Sequence, residues 1–556
     1  MSAAPVVHAG DPSSRRGGSA NPVALTTGRS LARSASIVGL AFVASRILGL
    51  GREVILAREF GTSGEFDAYV SAFRVPDLLF LIIMAGSFGA AFIPIFSGFL
   101  GRGDRVRAWR LASAVLNLSA LTMLVAAFLA FVFAGPLIRW VVAPGLEPEY
   151  HDTAVTSMRI LMLSPVLLGL GIAAKGILEA QDRFTLPALA PVFYNLSIIV
   201  GALVLAPTYG VYGVAWGVAA GATGHLLVQV PGLLSSGMRY RPVLSRHVDG
   251  LAEVARLLAP RVVGQAAFQI NFIVVNALAS NAGEGHVSAL NYAWQLMMLP
   301  HGVLALSIST VIFPTMARLY DQGRVTELRA TFANAIRPLL FLTLPASIGL
   351  FLFRTSIVQS MFQFGAFDER STRLATAPLA FLALGLAGYA LAEVLTRAFY
   401  AMHDTRTPVI AGVATIVLNV ALGATLVGRY GHAALAFSLS LTTAIEAFVL
   451  LVILGRRIGG SLAAFADWFG RVATASAAMA LVTFGMAVPL ERATEPGTAP
   501  RVVQILLLLY AVAVAVFTYA AAASLLRVPE LERVTNALTS RLPFARRWLG
   551  NGRTRR

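Results

Sequence analysis

Apolar stretches follow one another along nearly the whole chain, separated by short polar loops. Each is close to the length a helix needs to cross the hydrocarbon core of a bilayer, about 20 residues. About fourteen can be counted, near residues 36–57, 67–100, 109–134, 154–178, 187–206, 210–236, 254–280, 287–317, 330–353, 374–400, 407–428, 432–455, 469–489 and 502–526. The pattern predicts an all-α, polytopic membrane protein with the bilayer as its solvent.

Composition sharpens this reading. The 556 residues are 57% hydrophobic and 13% charged, with a mean hydropathy of +0.73. A soluble domain carries about 25% charged residues, so secreted domains, cytosolic enzymes and DNA-binding modules are excluded as folds. The chain has no cysteine, hence no disulfide framework, thiol nucleophile or thiolate metal site. A net charge of +17 would suggest nucleic acid in a soluble protein, but its placement points elsewhere. Arginines crowd the N-terminal tail (Arg15, Arg16, Arg29, Arg33) and every second loop, as at Arg102 to Arg110, Arg239 to Arg246, Arg318 to Arg329, and Arg456 with Arg457. The C-terminal tail, 528–556, is basic too, whereas the intervening loops carry Glu147, Glu149, Glu491 and Glu495. The positive-inside rule then predicts both termini in the cytoplasm, as an even span count requires. Residues 1–33, rich in Ala, Ser, Gly and Pro, are expected to form a disordered cytoplasmic tail. A cleaved signal peptide is the competing reading; the long apolar run and extended leader disfavour it.

The chain repeats itself at a spacing of about 221 residues. Ala180…Pro187 is echoed by Ala401…Pro408, and Tyr209-Gly210 by Tyr430-Gly431. Ala68 and Ala72 are echoed by Ala289 and Ala293, and Pro94, Gly103 and Arg105 by Pro314, Gly323 and Arg324. Each repeat holds six spans, so the copies lie the same way up, related by an axis along the membrane normal. The expected domains are two parallel six-helix lobes, 34–238 and 250–458, followed by helices 13 and 14 within 469–527.

Ionisable groups inside the membrane cost about 2.5–3.5 kcal/mol each on insertion scales, so they face partners or wet cavities. The first span holds Arg46, Arg52 and Glu53; the second opens at Asp67 and holds Arg74 and Asp77 beside Pro76. Two readings stand side by side. Arg46 with Glu53, seven apart on one helix face, and Arg74 with Asp77 could be structural ion pairs. Alternatively the arginines line a cationic cavity suited to a phosphate, which the forked guanidinium recognises. The seventh and eighth spans carry Arg261 and mostly amides, Gln265, Gln269, Asn271, Asn276, Asn291 and Gln295, which either line a wet surface or bond helix to helix. Lys175 with Glu179, and Glu393 with Arg397, have the spacing of local pairs; Glu446 has no partner nearby in sequence. No phosphate loop or metal-spaced histidine pair occurs, and Gly169, Gly171 and Ala174 imitate a dinucleotide fingerprint inside an apolar helix with no strand before it. No cofactor and no metal is expected.

These residues form recognisable strings. Ser45-Arg46-Ile47-Leu48-Gly49, Arg52-Glu53, Asp67-Ala68-Tyr69, Phe73-Arg74-Val75-Pro76 and Ala91-Phe92-Ile93-Pro94 resemble the opening of the MurJ (MviN) family. Gln363-Phe364-Gly365-Ala366-Phe367, and Arg397-Ala398-Phe399-Tyr400-Ala401 with Asp404-Thr405-Arg406-Thr407-Pro408, are similar to later segments of that family. The likeness covers about residues 33–530. It implies a lipid II flippase of the multidrug/oligosaccharidyl-lipid/polysaccharide exporter superfamily in the bacterial inner membrane. Its cargo would be the undecaprenyl-diphosphate-linked peptidoglycan precursor, moved from the inner to the outer leaflet without an enzymatic step or nucleic acid. It further implies a central cationic cavity, a tail groove beside helices 13 and 14, and partners in the cell-wall machinery besides the bilayer.

On that resemblance Arg46, Arg52 and Arg74 contact the diphosphate, and Asp67 gates or orients them. Asn291 and Gln295 meet polar headgroup atoms, with Glu53, Asp77, Glu393 and Arg397 in support. The chain also departs from the family pattern. Phe80 and Ala85 stand where the family tends to have arginine and glutamate, and Trp294, Gln295 and Met298 stand where it has Asp, Arg and Glu. Loss of the eighth-span arginine favours a second transport reading, another lipid-linked saccharide. From other classes, a membrane enzyme acting on lipid-linked sugars and a non-transporting scaffold remain as alternatives.

Overall fold

The computed structural model describes residues 28–83, 92–243, 245, 248–459 and 462–541, with side chains except at 28–36, 82–83, 257–268, 462–464 and 536–541. Ala85, most of both tails and the side chains of Arg261 and Gln265 lie outside the described residues. The N-terminal half runs α1 (Gly28–Phe60), α2 (Gly64–Ile83), α3 (Ile93–Gly101), α4 (Arg105–Val132), α5 (Ala134–Pro136), α6 (Pro148–Leu161), α7 (Leu163–Glu179), α8 (Thr185–Val200), α9 (Ala206–Tyr209), α10 (Val211–Leu227) and α11 (Val230–Ser235). The C-terminal half runs α12 (Leu251–Ser280), α13 (His286–Asp321), α14 (Val325–Leu352), α15 (Arg354–Phe362), α16 (Glu369–Ala401), α17 (Arg406–Tyr430) and α18 (His432–Ile458). It is followed by α19 (Leu462–Thr494), α20 (Arg501–Leu525) and α21 (Pro529–Arg541). No strand occurs among the described residues.

Eleven helices among the described residues are long and apolar enough to cross a membrane. The other three expected spans fall on α1, α2 and α12. The first two are interrupted by charge, and much of the third lies outside the described side chains. Large apolar side chains such as Leu124, Phe128, Leu481, Phe484 and Phe517 point outward, as a lipid-facing surface demands.

The repeat is visible in the backbone. Gly210 and Gly431, at φ +55° and +64°, turn the chain into α10 and α18. Asp182 and His403, also one repeat apart, take nearly equal left-handed φ of 60° and 59°. Two such costly conformations at matched positions mark one loop design used twice.

The bundle has an arginine-rich end and an opposite end that carries Thr62. At the arginine-rich end Asp404 accepts from the Thr407 amide (3.0 Å) and hydroxyl (2.6 Å) and pairs with Arg457 (2.5 Å). Partial burial pushes its carboxyl up, but the Thr407 contacts and Arg457 overcome this and hold it at about 2. A depressed carboxyl stabilises the fold above the ordinary carboxylate range and loses that contribution as pH falls toward 2. Asp404→Asn is therefore expected to cost about 1 kcal/mol at pH 7. Thermal unfolding of the detergent-solubilised protein should show this gap, narrowing as both proteins are acidified.

Helices α19 and α20 pack on each other and on α14 and α15. Tyr519 donates to the Phe341 carbonyl (2.7 Å) and Thr494 to Gln359 Oε1 (2.8 Å). The Trp468 indole donates to the buried Glu530 of α21 (2.7 Å).

Candidate functional site

The first helix delivers two cations to a cavity of about 550 Å3 lined mainly from α1, α7, α8 and α13, with Phe362 of α15. Its charged and polar walls are Ser45, Arg46, Arg52, Glu53, Lys175, Glu179, Asn195 and Gln295. Arg52 pairs with its neighbour Glu53 at 2.5 Å and donates to Asn195 Oδ1 at 3.2 Å. Gln295 of α13 donates to the same Glu53 oxygen at 3.3 Å. Glu53 thus serves both halves of the chain, and Gln295 adds a donor but no charge. The Arg52 Nε is buried and finds no acceptor among the described residues. The Arg52 side chain as a whole stays 22% exposed toward the cavity, and a cation placed there favours an incoming anion. Arg46 lays its guanidinium over the Phe42 ring, 5.4 Å from its centroid, and against Gly302 of α13. A methyl group at Gly302 would touch the Arg46 guanidinium at 3.5 Å, an ordinary contact distance.

The expected pairing of Arg46 with Glu53 does not form, because the adjacent Arg52 takes the carboxylate. Arg74 and Asp77 are likewise absent from the ion pairs of the described residues. Arg74 Nε donates to Asn276 Oδ1 at 3.0 Å, and Asn276 in turn donates to Ser71 and to the Val142 carbonyl. Through its Nε, Arg74 joins α2 to α12. Asn271 accepts from Asn419 (2.9 Å), whose own carbonyl oxygen takes the Ser438 hydroxyl (2.8 Å). The amides therefore divide: Asn271 and Asn276 bond helix to helix, whereas Gln295 faces the cavity. Asp77, Asn291, Glu393 and Arg397 do not line it. Glu393 and Arg397 form their local pair at 2.8 Å, and Arg397 also donates to Thr310 of α13 (2.9 Å). Phe80 packs among apolar side chains of the N-terminal half, Trp294 sits edge-on between Phe272 and Tyr389, and Met298 lines the cavity.

Asp67 lies away from the cavity, at the Thr62 end, where it caps α13. Its carboxylate accepts from the amides of Gly285 (2.6 Å) and Ser288 (2.7 Å). Glu284 returns the contact by accepting from the amide of Gly64, at the start of α2, at 2.8 Å. Each helix N-terminus is thus met by a carboxylate from the other half of the chain, the charge such an end favours. Further contacts join the halves here: Tyr292 to the Gly61 carbonyl, Thr62 to Ser371, and the Ala366 amide to the Arg58 carbonyl. Phe66, Tyr292, Phe362 and Phe367 stack beneath them. This end is closed by a continuous hydrogen-bonded and aromatic layer.

Asn195, Ser45, Lys175 and Glu179 are the parts of the site that sequence reasoning missed. Asn195 accepts from Arg52 and donates to the Pro191 carbonyl at 3.0 Å, and nothing in residue order marks it. Among the described residues no three His, Asp or Glu gather where they could hold a metal ion.

The family model of the lipid II flippase MurJ matches residues 56–504. The chain belongs to the MurJ family. Among MurJ relatives, the lipid II flippase of Burkholderia cenocepacia is 30% identical over 421 residues, 74% of this chain and 81% of that protein. A probable lipid II flippase of Rhizobium meliloti is 31% identical over 409 residues, 71% and 75% of the two chains. A solved MurJ structure in an inward closed conformation overlays with a TM-score of 0.74 at 24% identity, covering 88% of this chain and 98% of that one. An inward-facing multidrug transporter of the MATE family overlays at 0.64 with 18% identity, covering 74% and 94%. At those identities the two structures speak for the fold alone, a MurJ-like and MATE-like multi-helix membrane fold.

Proposed function

We propose that the chain flips lipid II, the polyprenyl-diphosphate-linked peptidoglycan precursor, from the inner to the outer leaflet of a bacterial inner membrane. The observation that carries this is Arg52, a partly exposed cavity cation, beside Arg46 in a chain of the MurJ family. Carrying sugars and two phosphates through hydrocarbon is prohibitive, since a single charge costs about 2.5–3.5 kcal/mol even on the lenient scales. A wet cavity with donors in place removes that barrier. The Thr62 end is closed while the cavity reaches Glu179 and Phe184, next to the arginine-rich end. With arginine-rich loops inside, both termini are cytoplasmic and this is the loading state. Release requires the Asp67 and Glu284 caps to part as lobes 34–238 and 250–458 rock, while the tail follows α19 and α20 in the bilayer. No bond is made or broken, so the protein is a transporter and not an enzyme.

Gln295 favours a second reading, another lipid-linked saccharide, because it hydrogen-bonds Glu53 and brings no positive charge to the phosphates. Rescue of a bacterium depleted of its own lipid II flippase separates the two. The wild-type chain is expected to restore growth, and Gln295→Arg to do so at least as well. Well-expressed wild type that fails, alongside a rescuing Gln295→Arg, would overturn lipid II as the natural cargo.

A further inference from the structure

The cavity holds a second charged station that the diphosphate contacts leave unused. Lys175 and Glu179, one turn apart on α7, line the same space as Arg46, Arg52 and Gln295. Their Nζ and Oε1 stand 3.7 Å apart, an ion pair too long to be a hydrogen bond, and their side chains are 47% and 30% exposed. Both groups therefore keep free valences toward the cavity. The choice of residue adds a second observation. Of 44 basic residues, Lys175 is the sole lysine. A surface pair on a helix is served equally well by arginine, which this chain uses at every other basic position. An ammonium differs as a compact point charge with three rotatable donors, suited to a single carboxylate in varied poses.

We propose that Lys175 and Glu179 form a zwitterion-reading subsite for a headgroup that bears amino-acid or short-peptide groups in addition to its diphosphate. The Lys175 ammonium takes a cargo carboxylate and the Glu179 carboxylate takes a cargo ammonium, so the loose pair exchanges one internal contact for two with the ligand. No proton is transferred and no bond is formed. Charge makes the station selective: a neutral sugar alone gains nothing by separating the pair, and a bare anion meets Glu179 as well as Lys175. This deepens the flippase reading and rests on it, since the diphosphate must still be held at Arg46 and Arg52.

The test uses the full chain in vesicles and two probes, a polyprenyl-diphosphate disaccharide with its peptide and the same lipid without it. The readout is the ratio of their apparent affinities in flipping. Lys175→Gln and Glu179→Gln are each expected to lower the preference for the peptide-bearing lipid about tenfold, the scale of one hydrogen bond to a charged group. Lys175→Arg should keep part of it. An unchanged ratio in both glutamine variants, whether both affinities fall together or neither moves, overturns the subsite. Failure of the wild type to move either lipid would instead overturn the flippase reading beneath it. The ratio also separates recognition from misfolding, which lowers both affinities alike.

Discussion

Arg52→Ala is expected to abolish flipping. Arg52 is a cavity cation held from both sides, by Glu53 at 2.5 Å and Asn195 at 3.2 Å, with its side chain still 22% exposed. Removing it takes a positive charge out of the cavity and leaves the nearly buried Glu53 with Gln295 as its remaining side-chain partner among the described residues. Breaking a buried pair by deleting one partner costs about 3–5 kcal/mol, so the single variant confounds binding with folding. The double variant Arg52→Ala with Glu53→Gln removes that conflict. It should recover expression and thermal stability but not lipid flipping in vesicles. Recovered flipping would mean that Arg52 serves only to neutralise Glu53 and that the phosphate lies elsewhere.

Asp67→Ala should act at the far end, on the balance between states. Two charge-assisted hydrogen bonds to α13 disappear, each worth about 1.5–3 kcal/mol when intact. Because they bridge the two halves at the Thr62 end, their loss is expected to favour opening there, at tenfold per 1.4 kcal/mol. The chain has no cysteine, so Ser371→Cys provides a single label site at the buried contact with Thr62. Maleimide should react at least tenfold faster with it in the Asp67→Ala background, while flipping falls because the closed, loading state is depleted. Asp67→Asn, which keeps one acceptor oxygen, should lie between. Equal labelling rates in all three backgrounds would rule out the caps as what holds this end shut.

Much of this was legible in the sequence, for definable reasons. Apolar length gave the spanning helices, because the bilayer fixes how much chain must be apolar. The 221-residue echo reappears as paired left-handed turns at Asp182 and His403 and at Gly210 and Gly431. Arg46 and Arg52 on the first helix were readable as cavity cations because arginine within a membrane has few other uses. What stayed hidden was partner choice. Residue type records a side chain's chemistry and not which helix it meets, so nothing in residue order shows that Arg74 Nε donates to Asn276. The sequence offers Asp67 for gating or orienting the arginines but hides its partners, because these are main-chain amides, which every residue except proline owns. One clue was present: Asp67 and Ser288 are 221 apart, so these contacting residues are repeat mates, and mates that touch lie at the pseudo-symmetry axis.

The use of amides at the Thr62 end has a practical consequence. Gly64, Gly285, Ser288 and Ala366 each donate a main-chain hydrogen across the junction between the halves. An amide held this way exchanges with deuterated solvent only when its bond opens. The junction is therefore its own clock. Deuterium uptake in peptides spanning these four positions counts how often the unmodified transporter parts there, and a cargo that stabilises the open side would quicken that count without any label.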